Sequence, residues 1–267
     1  MLKQAIDFKN ESDDLYNLLK EFSHTDFQKN TLFKDWTFNT ILRHLHVWNY
    51  AAKLTLTNKI QWENFYDNLQ SNFKGGKNIT IFEKDFTKNL SGRELLVTWK
   101  KLYNEISEKF KLEDPKRRVK WVGPDMSVIS AISARHMETW AHGQAIFDKL
   151  GLKRKNEDRI INIVIIGKNT FNWSFKVNGL DIPKEVPSLS LVSPSGELWE
   201  FNDKNNSNHI EGLAEEFCQV VTQVRNIKDL NLKVRGSISR KWMSIAQCFA
   251  GKAQKPPEPG YRKIKKI

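Results

Sequence analysis

Cysteine is scarce in this chain. Cys218 and Cys248 are the only two, they are far apart, and neither sits in a CxxC spacing. A disulfide framework and a zinc ribbon are therefore excluded, and a reducing compartment is the natural setting. Long apolar runs are missing as well. No stretch approaches the ~18 uninterrupted apolar residues of a membrane span, and the opening MLKQAIDFKNESDD turns acidic without the apolar core of a secretion signal. A cytoplasmic protein with no membrane association is expected. Internal repeats and low-complexity tracts are absent too, which argues against solenoids and disordered chains.

Acidic residues are outnumbered. With 43 Lys and Arg against 31 Asp and Glu, the formal net charge is +12. The excess is mostly Lys scattered among Asn and Ile, which is the pattern of a solvated surface. The dense runs, Lys116-Arg117-Arg118 and Arg262 to Lys266, belong to no groove-binding motif. Nucleic acid is therefore not expected as a partner, whereas a small anionic substrate suits the positive field.

What is present is a globular, aromatic-rich chain of 267 residues with 9 Trp and 16 Phe. The first half reads as helices of bundle length. Leu15, Leu18, Leu19 and Phe22 form one stripe. Trp36 to Lys53 carries Ile41, Leu45 and Trp48 at helical spacing, with Asp35 as its cap. A short helix over 61–73 ends at Gly75-Gly76. Ser91 and Glu94 form a capping box ahead of Leu95, Trp99, Leu102 and Ile106, and 126–150 run helical to Gly151. Four long helices predict a four-helix bundle over 1–152. Beyond the polar run 153–158 the pattern changes. It predicts a helix over 159–166, a strand over 171–177, and a hairpin joining 188–193 to 197–201 through Pro194-Ser195-Gly196. Helices over 211–225 and 235–250 follow. The expected second domain, 158–251, is α+β with a small antiparallel sheet. Pro256, Pro257, Pro259 and Gly260 make 252–267 an extended basic tail.

Four of the six histidines fall in two of these helices: His44 and His46 in one, His136 and His142 in the other. Residues four apart share a helix face, so Glu138 and His142 project together, while residues two apart point away from each other. Inward i, i+4 pairs joined by one ligand from a facing helix are how bundles build metal sites. Two imidazoles and a carboxylate leave a position open on zinc, as catalytic sites do.

Asp35-Trp36-Thr37, then His44-Leu45 and Ala51-Ala52, resemble the helix-opening motif of the DinB-like superfamily. The stretch from Ala134 to Gln144 resembles one bacterial branch of it, the "wicket" family of metal-binding proteins, relatives of mycothiol-dependent maleylpyruvate isomerase. Trp121 to Ser127 and Ala246 to Gly251 match as well. The resemblance implies a DinB-like bundle followed by an isomerase-like domain. It also implies a divalent metal of zinc type on His44, Glu138 and His142, and a low-molecular-weight thiol as co-reactant. Asn49 stands where the family often has Asp, and His136 where it often has Leu.

Other residues carry paired expectations. Trp121 and Met126 are candidates for lining the site, with core packing as the plain alternative, which Trp140 shares. Arg225 and Arg262 are candidates for holding an anionic group, because Arg pairs bidentately with carboxylate. The tail through Arg262 is expected to act as a lid. Cys218 and Cys248 read as inert core residues, and His24 and His209 as surface loop residues. The expected function is a metal-dependent isomerase, transferase or lyase that uses a thiol. The alternative is a non-catalytic metal-containing module for ligand sensing or carriage.

Overall fold

The computed structural model describes residues 1–202 and 207–262. The chain divides into two compact units, Met1–Ile146 and Phe147–Ile267. The first holds α1 (Lys3–Leu19), α2 (Phe38–Thr57), α3 (Lys59–Lys74), α4 (Ile79–Phe86) and α5 (Gly92–Lys111). The short antiparallel pair β1 (Arg118–Val119) and β2 (Met126–Ser127) follows, and then most of α6 (Val128–Lys149). The long helices α1, α2, α5 and α6 correspond to those expected from the sequence, except that α1 ends at Leu19, short of Phe22, and α6 begins at Val128 because Met126 and Ser127 form β2; they form the expected helical bundle. Its core is apolar side chains at helical spacing: Phe8 and Leu15 on α1, Ile41 and Leu45 on α2, Trp99 and Ile106 on α5, Ile132 and Trp140 on α6. Each such side chain contributes ~1.5–3 kcal/mol by leaving water.

Two helix starts differ from expectation. The cap of α2 is Thr37, whose hydroxyl accepts from Thr40 N at 3.1 Å. Asp35 lies earlier, in a tight turn where Lys34 and Asp35 both have positive φ (52° and 55°) and Trp36 N donates to Phe33 O. Ser91 occupies the cap position of α5 without a side-chain cap bond. Gly92 N is instead satisfied by Asn39 Oδ1 of α2 at 2.6 Å, so the cap comes from a neighbouring helix. The short α4 was not foreseen at all. It begins at Asn78, whose side chain accepts from Ile81 N. Phe82 then packs α4 into a second apolar cluster with Trp48, Trp62 and Phe65.

The second unit contains α7 (Ile161–Asn169), α8 (Phe171–Val177), β3 (Ser188–Val192), β4 (Leu198–Phe201), β5 (His209–Leu213), α9 (Ala214–Val221), β6 (Lys233–Arg235) and α10 (Ser237–Ile245). The β3–β4 hairpin is as expected, with Val192 opposite Leu198. The expected strand over 171–177 is α8. Its inward residues are Phe171, Ser174 and Phe175, a helical rather than alternating set, and Ser174 Oγ accepts from Gln247 N. The helices expected over 211–225 and 235–250 are shorter, because β5 and β6 take their leading residues and Gln223 adopts φ 56° just after α9. His209 is accordingly a strand residue, hydrogen-bonded to Ser188. Nor is the sheet purely antiparallel. Its order is β4-β3-β5-β6, and β3 runs parallel to β5.

After α10 the described residues are non-helical, and specific bonds strap the described tail to its own unit. Gln254 N donates to Gln247 Oε1, Asn226 Nδ2 to Pro257 O, Gly260 N to Asp229, and Arg262 Nη1 to Gln223 O. The basic run beyond Arg262 lies outside the described residues.

Candidate metal centre

Helical phase on α6 sets Glu138 and His142 side by side, and α2 delivers His44 opposite them. Glu138 Oε2 lies 3.0 Å from His142 Nε2 and 3.4 Å from His44 Nε2. One donor atom from each residue falls within 4.8 Å of the others. The edge of a zinc tetrahedron with ~2.0–2.1 Å bonds is about 3.3 Å, so the spacing fits a single small cation. His46, on the other side of α2, stays neutral: burial pulls its imidazole down to about 4. His136 faces α1, with its Nε2 3.5 Å from Glu11 Oε2, both side chains sealed from solvent. Phase therefore separates the histidines as the sequence suggested.

Behind His44 stands a residue that the sequence did not reveal. Glu83, on α4, accepts from His44 Nδ1 at 2.7 Å and from Trp48 Nε1 at 2.9 Å. Its side chain is 0% exposed, whereas His44, Glu138 and His142 are 11–17% exposed. The trio thus opens on one side and is backed by a sealed carboxylate on the other. A carboxylate on Nδ1 fixes the proton there and turns the Nε2 lone pair outward, which is the usual support of a metal-ligating histidine. The donor set and its backing both fit a divalent metal.

Two carboxylates and the cations beside them set the charges of the trio. Burial opposes a charge on His44, but the field of Glu83 and hydrogen bonds to Glu138 and Glu83 outweigh it, raising the imidazole to about 9. Burial likewise works against ionised Glu138, yet His142, His44 and Arg135 hold it well below the usual carboxylate range. Burial lowers His142, reinforced by the charge on His44.

Aromatic rings wall the histidines. The Phe33–Trp36 turn presents Trp36 stacked on His142 (5.6 Å, 11°) and Phe33 edge-on to the same ring at 5.0 Å. The positive-φ residues Lys34 and Asp35 lie in that turn, between the two rings. Trp121 stacks on Trp62 and leans on Trp48 at 5.7 Å, so it joins the second cluster and reaches the residue that holds Glu83. Met126, in β2, is half-buried.

The two arginines expected to hold an anion lie in the second unit and are engaged there. Arg225 makes a bidentate pair with Asp148, at 2.6 and 2.7 Å, with both residues buried. Arg262 donates to Gln223 O, and burial together with the charge of Arg225 lowers its pKa. Cys218 and Cys248 are buried free thiols, and burial raises Cys218 far from reactivity.

Comparison with known proteins agrees with this geometry. An uncharacterized protein of Mycobacterium tuberculosis, matched in the CDC 1551 / Oshkosh and the ATCC 25618 / H37Rv strains, is 32% identical over 258 residues, covering 95% of this chain and 96% of the relative. Crystal structures of the mycothiol-dependent maleylpyruvate isomerase and of a mutant of it share the fold, with a TM-score of 0.53 at 11% identity, over 96% of this chain and 95% of theirs. A family model described as the mycothiol maleylpyruvate isomerase N-terminal domain matches residues 8–147. That match spans over half of the chain and bears out the resemblance drawn from its motifs. This chain therefore belongs to the mycothiol maleylpyruvate isomerase N-terminal domain family.

Proposed function

We propose that this protein is a metal-dependent enzyme that uses a small thiol to isomerise or transfer a group on a small anionic substrate. The observation that carries the proposal is the His44–Glu138–His142 trio with sealed Glu83 behind it. Three protein ligands leave room at a divalent ion for one more, the pattern of catalytic rather than structural sites. Bound there, a zinc-type cation supplies the positive charge that lets a thiol ionise near neutral pH. The chain's residues set the geometry. Glu83 keeps the proton on His44 Nδ1, Trp36 and Phe33 fix the His142 ring, and the surrounding aromatic side chains restrict water.

In the reaction, the thiolate sulfur forms a bond to the electron-poor carbon of a double bond conjugated to a carbonyl, and the π electrons move onto the carbonyl oxygen. Rotation about the resulting single bond, return of the electrons and cleavage of the C–S bond give the isomer and regenerate the thiolate. Protonation at carbon with sulfur retained gives transfer instead. The relatives named for mycothiol and maleylpyruvate support this class of chemistry.

The test is cobalt substitution. Cobalt-loaded protein titrated with small thiols should develop a sulfur-to-metal charge-transfer band, and the zinc form should turn over cis-configured unsaturated acids only when thiol is present. A cobalt spectrum unmoved by thiols, with no thiol-dependent turnover, would refute the enzyme and favour a metal-containing carrier.

A further inference from the structure

Arg135 stands one helical turn before Glu138 on α6, and Arg135, Glu138 and His142 follow the i, i+3, i+7 spacing of one helix face. The residue is 95% buried, with 5% relative exposure. Its guanidinium carbon lies over the Trp121 ring, 5.0 Å from the centroid. Its charge acts on Glu138 electrostatically. Yet Nε, sealed from solvent, has no hydrogen-bond partner, and the two terminal nitrogens donate to no described residue.

A guanidinium carries five N–H donors, and burying a charge without hydrogen bonds is costly. Trp121 and the field of Glu138 offset part of that cost and satisfy none of the donors. Several other buried arginines are treated differently: Arg225 is closed by Asp148, Arg43 by Thr87 and Leu90 O, and Arg159 pairs with Glu157. Arg135 is thus a buried cation with an open fork, set beside the candidate metal ligands.

We propose that Arg135 is the anchor for a carboxylate of the substrate, binding it end-on through both terminal nitrogens. With Nε sealed and Trp121 packed against the guanidinium, the edge bearing the terminal N–H groups is what is left to a ligand. Two such donors match the two oxygens of a planar carboxylate. A carboxylate group, with a single charge, also suits a fork that already feels the charge of Glu138, where a doubly charged phosphate group would meet stronger repulsion. Arg135 therefore supplies the anion recognition that Arg225, closed by Asp148, does not offer. This assignment rests on reading His44, Glu138 and His142 as the metal site, and it adds that the substrate's acid group lies one helical turn from it.

The experiment follows the Arg135 15Nε–1Hε resonance in the full chain, assigned by its loss in Arg135→Gln, as succinate, succinamide or inorganic phosphate is added. Succinate should shift the resonance saturably and succinamide should not, and Arg135→Gln should bind succinate at least tenfold more weakly while keeping its metal content and thermal midpoint. Arg135→Lys, which keeps the charge but loses the fork, should recover only part of the affinity. A resonance unmoved by succinate, or a phosphate response as strong as that to succinate, would overturn the proposal. So would unchanged succinate affinity in Arg135→Gln. If Arg135→Gln fails to fold, the wild-type titration and Arg135→Lys still decide. Because metal content is measured separately, absence of metal from the wild type would fault the metal reading while the succinate response judged Arg135.

Discussion

Replacing Glu83 by Gln removes one charge and little volume from the back of the metal centre, so its effect can be worked out in some detail. The wild-type carboxylate is sealed, accepts hydrogen bonds from His44 Nδ1 at 2.7 Å and from Trp48 Nε1 at 2.9 Å, and raises His44 electrostatically. Gln keeps an oxygen that can accept both bonds. It loses the charge that makes His44 a stronger donor, and it places an amide N–H₂ where Oε2 has no hydrogen-bond partner. Loss of such an outer carboxylate costs ~10–100-fold in metal affinity, or about 1.4–2.7 kcal/mol. Competition between the protein and a chromophoric chelator for zinc reads this directly, and circular dichroism checks that the helices persist. Arg43 also feels the charge of Glu83, so a modest drop in thermal midpoint should accompany the loss of affinity. His136→Ala, which alters the α1-facing histidine, should leave zinc affinity unchanged. A folded Glu83→Gln protein that holds zinc as tightly as the wild type would refute the idea that Glu83 supports the site.

Three further outcomes follow from individual contacts. Thr37→Ala should destabilise the first unit by about 1 kcal/mol in urea denaturation, the usual worth of a helix cap, whereas Asp35→Ala should not remove that cap bond. Arg225→Ala should cost ~3–5 kcal/mol by leaving Asp148 buried and unpaired; Arg225→Ala combined with Asp148→Ala should recover part of that loss, and full stability in the single variant would deny that the pair is structural. Asp26, bonded to Lys29 and Ser23, titrates at about 2 rather than the ordinary 3.8. Its folded value lies below its unfolded one, so its contribution is present above about pH 4 and is lost as pH falls through 2; side-chain NMR should show that midpoint, and Ser23→Ala should move it upward.

Much of the site was legible in the sequence because helical phase is a local property. Glu138 and His142 are one turn apart on a helix whose apolar character shows in its residues, and no long-range contact is needed to place them on one face. The same rule turned His46 and His136 away. The hairpin through Pro194-Ser195-Gly196 was local in the same sense. The cap at Asn78 was a legible signal for α4, but nothing near Glu83 distinguishes it from a solvated acid.

Tertiary structure decided the rest. Glu83 meets His44 because α4 folds it there, 39 residues away in sequence, and Phe82 holds that helix in the second apolar cluster. Residues 171–177 alternate in hydrophobicity over a span too short to separate the two periods, and the bond from Gln247 N to Ser174 Oγ goes with the helical face. Arg225 reads in the sequence as a candidate anion holder, but Asp148, 77 residues earlier, closes its fork. Periodicity reports which face a side chain takes. Which partner meets it there depends on pairings distant in sequence, and for buried charges those pairings determine whether a residue is structural or open to a ligand.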